Sequence, residues 1–297
     1  MKSATLAVDL GGTRMRAAIV GPEGGIGART VMQTPRGQPC AHALHQVMRE
    51  LSEHASVDIE SVVVGVPGRV DYSAGRLEYA PNLPAGWLDD LNEESLGASI
   101  GCPVAVANDG DMAAVGEALF GAGREFRDVV YVTFSTGVGA GVVLGGYLVR
   151  GRRSLAEIGH TVLLAGDGGQ VSSVEDLASG TALGRAAHEA GISVDGGELV
   201  ALVEAGMPKA VEVFARISDA IALTVVNLAQ LFSPDVVVIG GGLGRNLDLL
   251  GPVIRAALDR SGPRGLLKPI DIAQAALGDD SGLVGAAGWF SAIGAAR

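Results

Sequence analysis

The amino-acid sequence predicts an α/β protein built as two related halves, and three features carry that prediction. Strand-like and helical stretches alternate after an opening hairpin pattern, the signature of layered α/β folds. The hairpin AVDLGGTRMRAAIV returns in altered form near mid-chain as VTFSTGVGAGVVL, so the second half reads as a duplicate of the first. No linker-like or low-complexity stretch separates the halves, which predicts that they share a cleft without a long tether.

The elements follow in order. Period-2 and apolar runs predict strands at 5–9, 15–20 and 26–32. A helix is expected from Pro39 to about His54, with Leu44, Val47, Met48 and Leu51 on one face. Strands SVVVGVP (61–67) and PVAVAND (103–109) flank a loop rich in Pro and Asn, and a helix is expected from Asp111 to about Gly121. In the second half VVYVTFSTGVGAGVVLGGYLV (129–149) reads as strand, glycine turn, strand and a short third strand. Helices are expected around 175–190, 196–205 and 209–232, the last with a stripe of Phe214, Ile217, Ile221, Val225, Leu228 and Phe232. The strand DVVVIGGG (235–242), a helix to about Arg260, the strand IDIAQAAL and a helix from Ser281 complete the chain.

Composition narrows the function classes. The 297 residues, 48% of them hydrophobic, suffice for two packed cores. A formal net charge of −11 opposes nucleic acid and anionic membrane as partners. The longest apolar stretch, Ala220 to Ser233, is too short to span a bilayer, and the start lacks a signal-peptide pattern. Two cysteines, Cys40 and Cys102, build no disulfide framework and fit a reduced, cytoplasmic setting.

Five stretches carry chemistry. Asp9 ends a strand, and Gly11-Gly12-Thr13 then exposes backbone N–H groups and a hydroxyl, as a phosphate loop requires. The same residues also suit an ordinary hairpin turn. Asp9 is a candidate Mg²⁺ residue, acting through water. Thr136-Gly137 with Gly139 repeats that chemistry, and Gly240-Gly241-Gly242 opens a helix after an apolar strand, either against a nucleotide or as close packing. Asn108-Asp109 ends a strand. Asp109 is placed as a general base, or else Asp109 or Asp111 caps the next helix. In AEIGHTV, Glu157 and His160 read as a metal pair, a catalytic pair or readers of a polar substrate. Walker A and G-x-G-x-x-G patterns are absent.

D-x-G-G-T at 9–13, G-V-P-G at 65–68, P-N-L at 81–83, N-D at 108–109, T-G-x-G at 136–139, E-I-G-H at 157–160 and the late G-G-G resemble, in order, the ROK family of repressors and sugar kinases. The resemblance implies two actin-like, RNase H-like domains with a cleft between them: a small one over 1–108, joined by the C-terminal helix 281–297, and a large one over 109–280. It implies ATP-dependent phosphorylation of a hexose 6-hydroxyl, with Mg²⁺. Asp109 matches the base, Asn108, Glu157, His160 and Glu175 match sugar-binding side chains, and Gly68 and Asn82 sit where the small domain touches the sugar. The hairpins match the phosphate loops, and Gly241-Gly242 the adenosine loop. A homodimer is implied as well.

In many members the histidine of E-I-G-H also binds zinc with three cysteines. Here TVLLAGDGGQVSSV (161–174) contains none, so no zinc site is expected. Glucose is the implied substrate, with an amino sugar (glucosamine, N-acetylmannosamine or kanosamine) as the alternative. A repressor would carry a helix-turn-helix domain before the first hairpin, and eight residues precede Asp9. A catalytically silent sensor is disfavoured by the intact Asp109 and glycine loops. A polyphosphate-dependent kinase would want a basic channel, against 22 Lys and Arg to 33 Asp and Glu.

Overall fold

The computed structural model describes residues 3–55, 57–155, 157–165, 171–194, 196–261 and 270–294. The chain forms two units: Met1–Arg127 with Gly141–Leu155 and Ala276–Arg297, and Asp128–Ala140 with Ala156–Ala275.

In the first unit, β1 (Ser3–Leu10), β2 (Arg14–Val20) and β3 (Ile26–Gln33) form an antiparallel meander. After α1 (Cys40–Ala55) the chain adds β4 (Asp58–Val66) parallel to β1. The hairpin β5 (Arg69–Asp71) and β6 (Arg76–Tyr79) and the helices α2 (Trp87–Asp90) and α3 (Glu93–Ile100) follow. β7 (Val104–Asn108) then completes the sheet order β3-β2-β1-β4-β7. Leu6, Val8 and Leu10 of β1 pack in one core with Leu44, Val47 and Leu51 of α1 and Val62, Val64 and Val66 of β4, as period-2 alternation dictates.

The alternate positions are small or apolar. Ala7, Ala18, Val63, Gly65 and Ala105 leave room for α4 (Asp109–Phe120) and the late helix. A Cβ on Gly65 would lie 2.6 Å from the Met112 sulfur of α4. The late helix, numbered α11 below, runs over Ser281–Ala292 and meets α4 backbone to backbone: a Cβ on Gly116 would lie 3.0 Å from Gly285 N. The Glu117 side chain, fully buried, fixes this return. Its carboxylate accepts from Ala122 N (2.9 Å), Ala276 N (3.0 Å), Leu277 N (2.9 Å) and the Ser281 hydroxyl (2.7 Å).

Next come β8 (Val129–Phe134), β9 (Val138–Leu144), β10 (Tyr147–Leu148), β11 (Val162–Ala165) and β12 (Val171–Ser173), then α5 (Val174–Ala178), α6 (Gly180–Glu189), α7 (Gly196–Glu204) and α8 (Pro208–Phe232). β13 (Val236–Gly240), α9 (Gly241–Gly244), α10 (Leu247–Ser261) and β14 (Asp271–Gln274) precede α11. The second sheet has the order β10-β9-β8-β13-β14, with β13 parallel to β8 and β14. The α8 stripe is buried as expected at Phe214, Ile217, Ile221, Val225 and Leu228. Among the described residues no helix is long and apolar enough to cross a membrane.

Several expectations are corrected. The helix expected over 175–190 is two helices, because Ser179 is extended (φ −93°, ψ 165°) and its side chain caps Ala182 N. The helix expected from Asp111 begins at Asp109, and the strand expected to run to Gly242 stops at Gly240, where Gly241 turns to φ +80°. The last strand ends at Gln274 and the last helix at Ala292. Residues 295–297 of that expected helix lie outside the described residues, as do 166–170 of the stretch that replaces a zinc loop.

Replacing Glu117 by Ala is predicted to cost about 3–5 kcal/mol of unfolding free energy, because four donors lose one buried acceptor together. Urea denaturation of parent and variant measures it, and a loss below about 1 kcal/mol, the scale of a single ordinary hydrogen bond, contradicts this role.

Candidate active site

The first glycine turn is held from outside. Gly11 N donates to Arg14 O (2.7 Å), closing the β1–β2 turn. Thr34 clamps it twice, its hydroxyl donating to Gly11 O (2.6 Å) and its N–H to Thr13 O (2.9 Å), while Arg36 reaches Gly12 O (3.3 Å). A Cβ on Gly12 would lie 2.5 Å from Asn82 O, so the P-N-L turn rests directly on the glycine. Gly11, Gly12, Thr13 and Asn82 are thereby brought together, with Thr13 and Asn82 exposed. Asp9 faces Arg16 across the β1–β2 register, and its Oδ2 accepts from that guanidinium (Nε at 2.9 Å). That partner is readable from the hairpin period, unlike Thr34 and Arg36, which arrive from beyond β3.

The β7–α4 junction is the most constrained part of the site. Asn108, not Asp109 or Asp111, is the N-cap: its Oδ1 accepts from Gly110 N (2.9 Å) and Asp111 N (3.2 Å). Its extended backbone (φ −67°, ψ 140°) is what an N-cap adopts, and that leaves Asp109 as the first helical residue. Asn108 Nδ2 donates to Gly68 O (3.0 Å), leaving one amide hydrogen for a ligand. Gly68 sits at φ +140°, a conformation that glycine alone adopts readily. The Asn108 N–H donates to the Tyr72 hydroxyl (3.1 Å), which donates in turn to Asp111 Oδ2 (2.6 Å). Burial, then the Asp111 charge, pushes the Tyr72 phenol well above its ordinary value, so it stays a donor. Asp109 itself is exposed at the start of α4, where the helix dipole favours a carboxylate.

In the second unit the Thr136-Gly137 loop and the turn that carries Gly159 meet at the carboxylate of Glu175. Glu175 Oε2 accepts from Val138 N (2.9 Å), at the end of the Thr136-Gly137 loop. A Cβ on Gly137 would collide with that carboxylate, and one on Gly159 would lie 3.5 Å from Oε2. Gly159 belongs to the 3-10 turn Ile158–His160, and Glu157 Oε2 stands 3.6 Å from His160 Nε2. The loop is also tied to the start of α6: Gly180 N donates to Ser135 O (2.6 Å) and the Thr181 hydroxyl to Thr136 O (2.7 Å). Gly139 has room, its nearest neighbour for a Cβ being Thr133 Cγ2 at 3.5 Å. Gly241 cannot take a side chain, since a Cβ would lie 2.6 Å from the Phe134 carbonyl carbon, whereas Gly242 faces open space.

The donor chemistry separates two metals. His160 is 71% exposed, with the Glu157 carboxylate 3.6 Å away, and no cysteine stands in this unit: Cys40 is buried at the start of α1 and Cys102 follows α3. Burial, with Asp90 nearby, pushes the Cys40 thiol up to about 12. These donors do not fit tetrahedral zinc. Asp9 and Thr13 supply hard oxygen donors, which fit Mg²⁺ reached through water and held chiefly by substrate phosphates.

The sequence model of the ROK family matches residues 5–293. A glucokinase of Streptomyces coelicolor is 33% identical, over 95% of this chain and 96% of its own. An N-acetylmannosamine kinase of Yersinia pseudotuberculosis is 32% identical, over 96% of this chain and 97% of its own. Among solved structures, a ROK family glucokinase from Streptomyces griseus in complex with glucose and AMPPNP aligns with a TM-score of 0.77 at 31% identity, covering 96% of this chain and 98% of that one.

Removing the Asn108 cap by Asn108→Ala is expected to lower stability by about 1–2 kcal/mol, with Asn108→Ser recovering part of it, since a serine hydroxyl still accepts from the helix N–H groups and sets no acceptor against Gly68 O. Chemical denaturation of the three proteins decides this, and equal stability of the Ala and Ser variants contradicts the capping account.

Proposed function

The chain belongs to the ROK family, has its actin-like α/β fold and is an enzyme of the sugar kinase class, and from that footing we propose that it transfers the γ-phosphate of ATP to the 6-hydroxyl of a hexose, glucose first. The observation that carries this reading is Asp109, an exposed carboxylate held at a fixed strand–helix junction.

In this proposal Asp109 Oδ accepts the hydroxyl proton as the sugar oxygen attacks the γ-phosphorus. Asn108 offers its remaining amide hydrogen to the sugar. Gly68, Asn82, Glu157, His160 and Glu175 complete the set of groups that read its hydroxyls. Phosphoryl transfer is mostly positioning and electrostatics. The backbone N–H groups of Gly12, Gly137 and Gly139, with the hydroxyls of Thr13 and Thr136, hold the triphosphate, Gly11 closes the turn that presents them, and Gly241 and Gly242 lie against the adenosine. Mg²⁺, when bound beside Asp9, supplies positive charge that neutralises the phosphates. The enzyme is taken to work in the cytoplasm as a homodimer, a setting that suits its free cysteines.

An amino-sugar acceptor of the N-acetylmannosamine, glucosamine or kanosamine type is the second reading. It is favoured by the cysteine-free stretch between His160 and Glu175 and by the likeness to an N-acetylmannosamine kinase. A polyphosphate donor is disfavoured by the net charge of −11.

Asp109→Asn is expected to lower kcat by about 10²–10⁴-fold, the usual worth of a general base, with sugar affinity close to that of the parent. Coupled ADP-release kinetics beside calorimetric sugar titration checks both. Turnover near the parent rate removes Asp109 from the role.

A further inference from the structure

Glu175 has been read as a side chain that faces the sugar. Its hydrogen bond points elsewhere. Oε2 accepts the N–H of Val138, the residue that follows Thr136-Gly137 and begins β9 (2.9 Å). The same oxygen fills the space beside Gly137 and lies against Gly159 of the Ile158–His160 turn. That turn is fastened to the helix carrying Glu175, because Val174 N donates to Thr161 O (2.9 Å) and the Thr161 hydroxyl donates to Ile158 O (2.7 Å).

We propose that Glu175 is a positioning residue for the nucleotide: its carboxylate sets the path of the Thr136–Gly139 loop and ties it to the Glu157–His160 turn. The argument rests on the ATP-dependent reading above and adds a role that a sugar contact alone does not have. The N-terminal half of the loop is fixed independently, by Gly180 N on Ser135 O and by Thr181 on Thr136 O. The C-terminal half, Gly137 to Gly139, is held by Glu175 at Val138 N, beside the local bond from Ser135 N to Gly137 O (2.9 Å). Gly137 and Gly159 are glycines because this carboxylate and the Val138 backbone occupy the positions a Cβ would take. A side chain placed in one turn is therefore felt in the other, and the helix that carries Glu175 transmits it. Loss of the acceptor leaves the Val138 N–H unpaired and the loop free to leave the conformation that presents its N–H groups to phosphate.

The test is calorimetric titration of the full chain with Mg²⁺ and AMPPNP in the absence of any sugar, so that sugar contacts contribute nothing. Glu175→Ala is expected to bind AMPPNP about tenfold more weakly than the parent, the worth of one hydrogen bond to a charged acceptor. Glu175→Gln keeps an acceptor for Val138 N–H and is expected to stay within about threefold of the parent. Circular dichroism at the titration temperature checks that both variants are folded. Parent-like binding by Glu175→Ala overturns the positioning role while leaving the kinase reading intact, and so does an equal loss in both variants. A folded parent that does not bind AMPPNP refutes the ATP reading itself, and the positioning role with it.

Discussion

The site depends on one requirement: the backbone donors at the start of α4 must be satisfied where a buried strand ends. Asn108 meets it with one side-chain oxygen shared by two N–H groups, and the cost of leaving them bare is what locks the residue in place. Its amide hydrogen is then committed to Gly68 O and its own N–H to Tyr72. With every one of these directions fixed, Asp109 has no freedom about where it leaves the strand. The Tyr72 ring is itself fixed, with the Arg150 guanidinium 5.0 Å from its centroid and the Trp289 ring 6.2 Å away. The general base proposed at Asp109 needs this kind of support, since errors of an ångström in a reacting group are costly.

The glycine turns obey a second constraint, which is lack of space more than need for flexibility. Gly12 lies against Asn82 O, Gly137 against Glu175, Gly159 against Val138, and Gly241 against the Phe134 carbonyl. In each case a neighbouring backbone or carboxylate stands where a side chain would begin. The turns are thus sterically fixed, which is what an anion site built on backbone N–H groups requires. The same logic joins α4 to α11 through Gly116 and Gly285, with Glu117 closing the junction.

Much of this was legible in the sequence. Strand periodicity placed β1, β2, β3, β7 and β13 closely, and the α8 stripe came from helical spacing. Asn108-Asp109 was recognisable as a strand end, but which residue capped the helix was not, because all the candidates are good caps and only the backbone angles choose among them. The break at Ser179 escaped notice because Val174 to Glu189 is apolar at helical spacing throughout, while the bonds that stop it go to Ser135 and Thr136. Thr34, Arg36 and Tyr72 were missed for the same reason: polar residues in short strands and loops give no periodic signal, and their partners lie far along the chain. Glu175 was expected from family resemblance, and its bond to Val138 had no trace in either stretch.

The central claim is a phosphoryl transfer to one sugar hydroxyl, directed by Asp109. The most direct measurement is ³¹P NMR of the products formed by the purified protein from Mg-ATP with glucose, N-acetylmannosamine, glucosamine and kanosamine in turn. The account predicts equimolar ADP and a single sugar 6-phosphate from glucose or from one of the amino sugars. ADP with inorganic phosphate and no sugar phosphate, or a product phosphorylated at another position, contradicts it.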